Sequence, residues 1–69
     1  MNTQNIPRPP QRILDILCLQ RLCPNCEQPT IGYLVYEHDN EIYFECSACS
    51  WELTAQLDLI KDAGFYPEC

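Results

Sequence analysis

Two closely spaced cysteine pairs constrain this chain of 69 residues more than any other feature of its sequence. The pairs are Cys23–Cys26 (CPNC) and Cys46–Cys49 (CSAC), and nineteen residues separate Cys26 from Cys46. Two residues between cysteines let both sulfur atoms of a pair turn toward one point. A β-hairpin in the intervening segment brings the second pair back over the first. Four thiolates that meet in this way bind one Zn²⁺ tetrahedrally, with Zn–S distances of about 2.3 Å.

The short chain makes such a metal site important for folding. A domain of this size buries only about 60% of the surface that its unfolded chain exposes, so its hydrophobic core is small. Zinc binding contributes on the order of 10–16 kcal/mol in zinc-finger peptides, which is comparable to the whole stability of an ordinary domain. We therefore expect folding to depend on one structural Zn²⁺ with four ligands. These predicted ligands are Cys23, Cys26, Cys46 and Cys49.

Size and composition also limit the possible functions. The chain is too short for a barrel or a dinucleotide-binding fold, and its two glycines cannot form a glycine-rich phosphate loop. A site closed by four cysteines leaves no open coordination position for a substrate. We expect a binding module and not an enzyme.

The same cysteines have other possible uses. Rubredoxin-like iron takes the same four-thiolate geometry, so the spacing leaves an electron-transfer role open. Disulfide bonds and thiol–disulfide exchange are further alternatives. The opening MNTQNIPRPP has no apolar stretch of signal-peptide length, and the longest apolar run is residues 16–19, so we expect a cytoplasmic protein that does not contact membranes. In that reducing compartment, cysteines bind metal more readily than they form disulfides.

The remaining sequence predicts a small α+β domain. Residues 1–10 predict a flexible proline-rich tail, and residues 11–69 a single domain. Apolar residues recur at helical spacing from Gln11 to about Leu22, which predicts an amphipathic helix. Residues 30–36 and 41–46 are rich in β-branched and aromatic types and predict the hairpin. Spacing at Leu53, Leu57 and Ile60 predicts a second helix, capped by Ser50 or Thr54 at its start and by Gly64 at its end.

Alternation along the two predicted strands assigns their side chains to two faces. The inward face is predicted to contain Ile31, Tyr33, Val35, Ile42 and Phe44. The other face is predicted to contain Leu34, Tyr36, His38, Glu41, Tyr43 and Glu45. A flanking helix could cover this second face, in which case its tyrosines belong to the core.

The two CxxC pairs and the hairpin between them resemble the zinc-ribbon superfamily, in which cysteine knuckles lie at the ends of β-hairpins. The resemblance covers Cys23 to Cys49. It implies a metal-stabilised fold in which Cys23, Cys26, Cys46 and Cys49 bind a structural zinc ion. Together with the two helices, it implies a small metal-stabilised α+β domain, a zinc-ribbon hairpin flanked by an N-terminal and a C-terminal amphipathic helix. Zinc ribbons commonly carry glycine after the second cysteine of each knuckle, whereas this chain has Glu27 and Ser50 there.

Several other residues could be read as functional but are expected to have structural roles. Cys18 lies on the apolar side of the first helix and is expected to be a small buried hydrophobe. Trp51 follows the second knuckle and is expected to pack against the zinc site. His38 is expected at the hairpin turn, far from the knuckles, and Cys69 is expected to be an exposed thiol.

The charge is unevenly distributed and indicates what kind of partner the chain can bind. Residues 1–22 contain three arginines and one aspartate, a net charge of +2, whereas residues 23–69 contain one lysine and nine carboxylates, a net charge of −8. The acidic part repels a phosphate backbone and attracts a basic protein surface. We expect an adaptor or inhibitor that binds another protein, with the partner surface formed by Tyr36, Tyr43, Glu41 and Glu45.

The alternative function is nucleic-acid binding of the kind found among zinc ribbons of the transcription and translation machinery. It would use the arginines of the N-terminal segment, Arg8, Arg12 and Arg21. A second alternative is a rubredoxin-like iron electron carrier.

Overall fold

The structure, a computed structural model, describes residues 6–67, so the first five residues of the predicted tail and Cys69 lie outside the described residues. Its elements are α1 (Gln11–Leu14), which continues as a π-helical turn (Asp15–Leu19), β1 (Ile31–Tyr36), a 3₁₀ turn (Glu37–Asp39), β2 (Glu41–Cys46), β3 (Glu52–Gln56) and α2 (Leu57–Asp62). Within residues 6–67, no helix combines the length and the apolar character needed to cross a bilayer.

The predicted hairpin is present and forms two strands of a three-stranded antiparallel sheet with the order β1-β2-β3. Tyr36 pairs with Glu41 at the turn and Ile31 pairs with Cys46 at the other end. Asn40 closes the turn with a φ of 55°, a left-handed conformation that asparagine adopts more readily than most residues. Its carbonyl and side-chain oxygens accept the N–H groups of Leu57 and Asp58, which ties the turn to the start of α2.

The prediction of a helix that includes Leu53 is wrong, because residues 52–56 form β3 and the helix begins only at Leu57. Along β3 the side chains alternate, and Leu53 and Ala55 lie on the same face as Phe44 and Ile42 of β2. A strand at this position places the apolar side chains on the core face and pairs with the backbone N–H and C=O groups of β2. A helix would leave those groups of β2 without partners.

Both predicted caps at the start of this second helix are wrong as well. The residue that precedes the helix is Gln56, in an extended conformation, so neither Ser50 nor Thr54 caps it. Ser50 directly follows the second cysteine pair and Thr54 lies within β3.

The first helix is shorter and less regular than predicted. Its α-helical turn ends at Leu14, and the next turn widens to a π-helix in which the N–H of Gln20 donates to the carbonyl of Asp15. The helical segment therefore ends at Leu19 and does not reach Leu22. The adjacent residues Leu17 and Cys18 are both buried in this turn, so the π-helical geometry accompanies a broader apolar contact with the sheet.

The core lies between one face of the sheet and the two helices. Its buried members are Leu14, Leu17, Cys18, Ile42, Phe44, Ala55, Leu57, Ile60 and Phe65. Phe65 follows α2 and packs edge-on against Phe44, with ring centroids 5.4 Å apart. Tyr33 lies on the predicted inward face, 5.2 Å from the ring of Phe65, but remains partly exposed because β1 is an edge strand. The expectation that Cys18 is a buried hydrophobe is confirmed.

The opposite face of the sheet, here called the outer sheet face, is not covered by either helix. Strand register assigns to it Gly32, Leu34 and Tyr36 of β1, Glu41, Tyr43 and Glu45 of β2, and Glu52, Thr54 and Gln56 of β3. Leu34 and Tyr36 are 54% and 47% exposed. Tyr36 is therefore exposed on the surface, Tyr43 is half-buried within the face, and the two tyrosines do not form a second core.

The predicted cap Gly64 lies one residue after Ala63, the residue that caps α2, and its conformation favours glycine. Its φ is 107°, and a Cβ at this position would lie 3.1 Å from Cδ2 of Leu19. We expect Gly64→Ala to lower the free energy of unfolding by about 1–2 kcal/mol, because an L-residue is strained in this region. Chemical unfolding at a fixed metal concentration measures the change.

Gly32→Ala is the matched control. Gly32 has no positive φ, and a Cβ there would meet nothing within 4 Å, so this variant should be as stable as the wild type or slightly more stable. Equal stability of the Gly64→Ala variant and the wild type would contradict the assignment of a strained helix end.

Candidate metal centre

The structure brings the two cysteine pairs together at one end of the sheet. The sulfur atoms of Cys23, Cys26, Cys46 and Cys49 all lie within 4.8 Å of one another. Two of the distances between pairs, Cys23 to Cys49 and Cys26 to Cys46, are 3.6 Å. A tetrahedron with metal–sulfur distances of about 2.3 Å has edges of about 3.8 Å, whereas a disulfide holds its sulfurs about 2.05 Å apart. The cluster therefore has the dimensions of a four-sulfur metal site.

The hairpin places the second pair, and a short loop places the first. Cys46 is the last residue of β2, and its N–H donates to the carbonyl of Trp51, the residue before β3. The first pair precedes β1, and the N–H of Cys23 donates to the carbonyl of Gln28. The N–H of Ser47 donates to the carbonyl of Thr30, which links the loop before β1 to the second pair.

Each cysteine pair forms a turn with a left-handed residue at its end. Glu27 has a φ of 60° and Ser50 a φ of 66°, at the two positions where zinc ribbons commonly have glycine. The N–H of Glu27 donates to the carbonyl of Cys23 over 2.7 Å, and that of Ser50 to the carbonyl of Cys46 over 3.1 Å. The knuckle turns form without glycine, at a cost of about 1–2 kcal/mol for each left-handed residue. Metal binding by the four sulfurs would offset that cost.

Backbone N–H groups inside each turn point at a sulfur atom. Those of Asn25 and Cys26 donate to Sγ of Cys23, over 3.3 and 3.5 Å, and that of Ala48 donates to Sγ of Cys46 over 3.3 Å. Hydrogen bonds to sulfur stabilise its thiolate form, because they bring positive partial charge to the anion. The CxxC turn therefore positions the sulfurs and also stabilises their charge.

Two side chains add hydrogen bonds that the sequence does not predict. The hydroxyl of Thr30 lies 3.2 Å from Sγ of Cys46, and Nδ2 of Asn25 donates to Sγ of Cys49 over 3.3 Å. Thr30 lies far from Cys46 in the chain and its role follows only from the strand register. Asn25 lies within the first pair, so a polar residue inside CxxC was the one available signal.

The surroundings of the four thiols shift their pKa values in opposite directions. The hydroxyl of Thr30, followed by backbone N–H groups, lowers the pKa of Cys46 to about 6, and the amide of Asn25 lowers the pKa of Cys49. Desolvation and the neighbouring sulfurs raise the pKa of Cys26 to about 12. Four thiolates this close repel one another, and a metal ion at the centre of the cluster would neutralise that charge and favour loss of the last proton.

Trp51 adjoins the sulfur cluster through its backbone, which hydrogen-bonds to Cys46 and Cys49, and its half-buried side chain packs against the core. The other residues predicted to have a role lie away from the cluster. His38 is exposed in the 3₁₀ turn at the far end of the hairpin. Arg8 donates to the side chain of Gln11, and the guanidinium of Arg21 lies 4.9 Å from the ring centroid of Phe65. The predicted partner residues are all on the outer sheet face: Tyr36, Glu41, Tyr43 and Glu45.

Comparison with protein-family models, with curated proteins and with solved structures finds no match for this chain. The four cysteines on a small antiparallel hairpin are consistent with a zinc-ribbon-like site.

Removal of the metal should unfold the domain. We expect a strong chelator to abolish the β-sheet signal in far-ultraviolet circular dichroism, because the small core does not offset chain entropy without metal binding. Cys49→Ala should lose the bound metal and, as a result, the β-sheet signal. Cys18→Ala is the matched control, since Cys18 is buried outside the cluster, and it should keep the metal. A chelated wild type that remains folded would contradict the structural role of the site.

Loss of the Thr30 hydroxyl should weaken metal binding. In Thr30→Val the bond to Cys46 is absent, so the pKa of Cys46 rises and a proton competes with the metal at neutral pH. We expect affinity at pH 7 to fall by about 10-fold to 100-fold, and the deficit to shrink as pH rises and the thiol ionises.

Competition with a chromophoric chelator at several pH values measures this affinity. The control is Thr54→Val, the same change on the exposed part of β3, which should bind metal as the wild type does. A Thr30→Val affinity equal to that of the control at every pH would contradict a contribution of the hydroxyl.

Proposed function

We propose that this protein binds one structural Zn²⁺ and uses the zinc-held sheet to bind another protein, as an adaptor or an inhibitor without catalytic activity of its own. The observation that carries the proposal is the cluster of four sulfurs within 4.8 Å. The rigid sheet that extends from this cluster presents one uncovered face.

The donor set supports zinc over other divalent ions. Four thiolates are soft ligands, and Zn²⁺ accepts a tetrahedral sulfur shell, whereas Mg²⁺ and Ca²⁺ prefer oxygen. Four protein ligands also complete the coordination sphere, which supports a structural and not a catalytic ion. A cytoplasmic location fits the proposal, because thiols stay reduced there.

The outer sheet face supports a protein partner. Leu34 and Tyr36 are large, exposed side chains on a regular backbone, and Tyr43 lies beside them, half-buried. Tyrosine is enriched at binding hot spots because its ring buries a large area and loses little conformational entropy. Exposed apolar and aromatic side chains next to polar residues are typical of an interface.

The charge of this face supports a basic partner. The face carries Glu41, Glu45 and Glu52 and contains no lysine or arginine. Desolvation and then the carboxylates of Glu52 and Glu45, with which the phenol interacts, raise the pKa of Tyr43, so the phenol stays protonated. An acidic surface of this kind accelerates association with a basic protein and repels nucleic acid.

Metal identity is tested by elemental analysis of the protein purified from its native cell. We expect about one zinc ion per chain, as a four-ligand site requires, in a colourless protein. A red protein with one iron per chain would replace the proposal with the electron-carrier alternative.

Partner binding is tested by quantitative capture of native-cell proteins on the zinc-loaded chain. We compare Leu34→Ala/Tyr36→Ala with the matched pair Leu19→Ala/Tyr66→Ala, which removes a leucine and a tyrosine that are 66% and 68% exposed outside the outer sheet face. The first variant should capture about tenfold less of the specific basic proteins, the decrease expected when two hot-spot side chains are removed. The second should retain them.

Two results would contradict the interface. The first is equal capture by both double variants. The second is binding of the wild type to double-stranded DNA at physiological salt, combined with loss of that binding in Arg8→Gln/Arg12→Gln. This result would favour nucleic-acid binding through the N-terminal arginines.

A further inference from the structure

We propose that one row of residues across the outer sheet face, Gly32, Glu45 and Glu52, is the docking point for an arginine side chain of the partner protein. This inference rests on the proposed function, because it names the feature of the partner that the same face recognises. The register places the three residues side by side, with Gly32 opposite Glu45 and Glu45 opposite Glu52. We call this set the glycine row.

Gly32 is not required by the fold. A glycine inside a strand weakens it, because the unfolded chain gains conformational freedom and no side chain packs on the sheet. Here the backbone does not adopt a positive φ, and a Cβ would meet nothing within 4 Å. Gly64, in contrast, needs both the positive φ and the space. A glycine without an internal reason, on an exposed face, marks a place where another molecule approaches the backbone closely.

The two carboxylates of the glycine row are also unfavourable for the isolated sheet. Glu45 and Glu52 are directly opposite each other on adjacent strands, both exposed, and like charges in such a pair repel. The phenol of Tyr43 interacts with both carboxylates as a neutral hydrogen-bond partner. The outer sheet face contains no cation, so the two negative charges are not neutralised within this face. A strand glycine and two uncompensated carboxylates that lie side by side are typical of a functional surface and not of a structural one.

An arginine from outside satisfies all three positions at once. Its aliphatic stem can lie over Gly32, beside the exposed Leu34. Any residue other than glycine at position 32 would fill this space with its own side chain. Its planar guanidinium has five donors and can bridge two carboxylates, which the compact ammonium of lysine does less well. A second copy of this chain is disfavoured as the occupant, because the formal net charge of −6 makes the copies repel.

The test uses the full zinc-loaded chain and a fluorescent arginine–glycine repeat peptide, with a lysine–glycine repeat of the same length as the comparison. Fluorescence anisotropy measures both affinities at low and at physiological salt. We expect the arginine peptide to bind the wild type several-fold more tightly than the lysine peptide. Binding of both peptides with equal affinity would overturn the choice of arginine.

Gly32→Val is the decisive variant. It should be as stable as the wild type or more stable, because valine favours strands and its Cβ has open space, yet it should bind the arginine peptide about tenfold more weakly. A higher melting temperature together with a lower affinity is expected only if Gly32 leaves space for a bound ligand. Unchanged affinity in a folded Gly32→Val protein would overturn the proposal.

The carboxylates are tested against a variant with the same change in net charge. Glu45→Gln/Glu52→Gln should weaken arginine-peptide binding by about tenfold, and Asp58→Asn/Asp62→Asn, on the exposed side of α2, should weaken it by less than about twofold. Equal losses would mean non-specific attraction to net charge and would overturn the docking point.

The same peptides separate this proposal from the proposed function. If Leu34→Ala/Tyr36→Ala loses binding while Gly32→Val keeps it, the outer sheet face binds but the glycine row does not, and only the docking point fails. If neither variant changes binding, both the face and the docking point fail. Concentration-dependent dimers that Gly32→Val abolishes, seen by sedimentation, would assign the row to self-association and overturn the proposal.

Discussion

Four sulfur atoms held within 4.8 Å of one another are the constraint on which the rest of the structure depends. Thiolates at this spacing repel, and the pKa of Cys26 is raised while that of Cys46 is lowered. A metal ion held by the four sulfurs would remove the repulsion and join the loop before β1 to the end of β2. It would also offset the cost of the left-handed residues Glu27 and Ser50.

The cysteine cluster also explains how so few residues make a sheet with two different faces. The core needs only the inner face, where both helices and Phe65 cover β2, the central strand. The outer sheet face therefore contributes little to folding and can carry exposed tyrosine, opposed carboxylates and a strand glycine. These residues add little to the stability of the sheet, and a metal ion bound by the cysteine cluster would help to offset their cost. In this way the candidate metal centre would support the proposed partner surface.

Much of this arrangement was predictable from the sequence. The CxxC spacing predicted the four cysteines that meet, and alternation in residues 31–46 predicted both faces of the hairpin. The helical spacing of Leu53, Leu57 and Ile60 hid β3, because Leu53 and Ala55 also fit a strand, and only pairing with β2 decides between them. The π-helical turn at Asp15–Leu19 and the Thr30 hydroxyl depend on contacts between distant segments, which local patterns do not encode. The glycine row required the full register of three strands.

X-ray absorption at the zinc edge of the purified protein reports the ligands of the bound ion. We predict one shell of four sulfur atoms at about 2.3 Å and no nitrogen or oxygen ligand. Substituting any one of the four cysteines by serine should remove one sulfur from that shell or release the ion. A mixed shell with oxygen or nitrogen in the wild type, or fewer than four sulfurs, would contradict the closed site on which the folded platform depends.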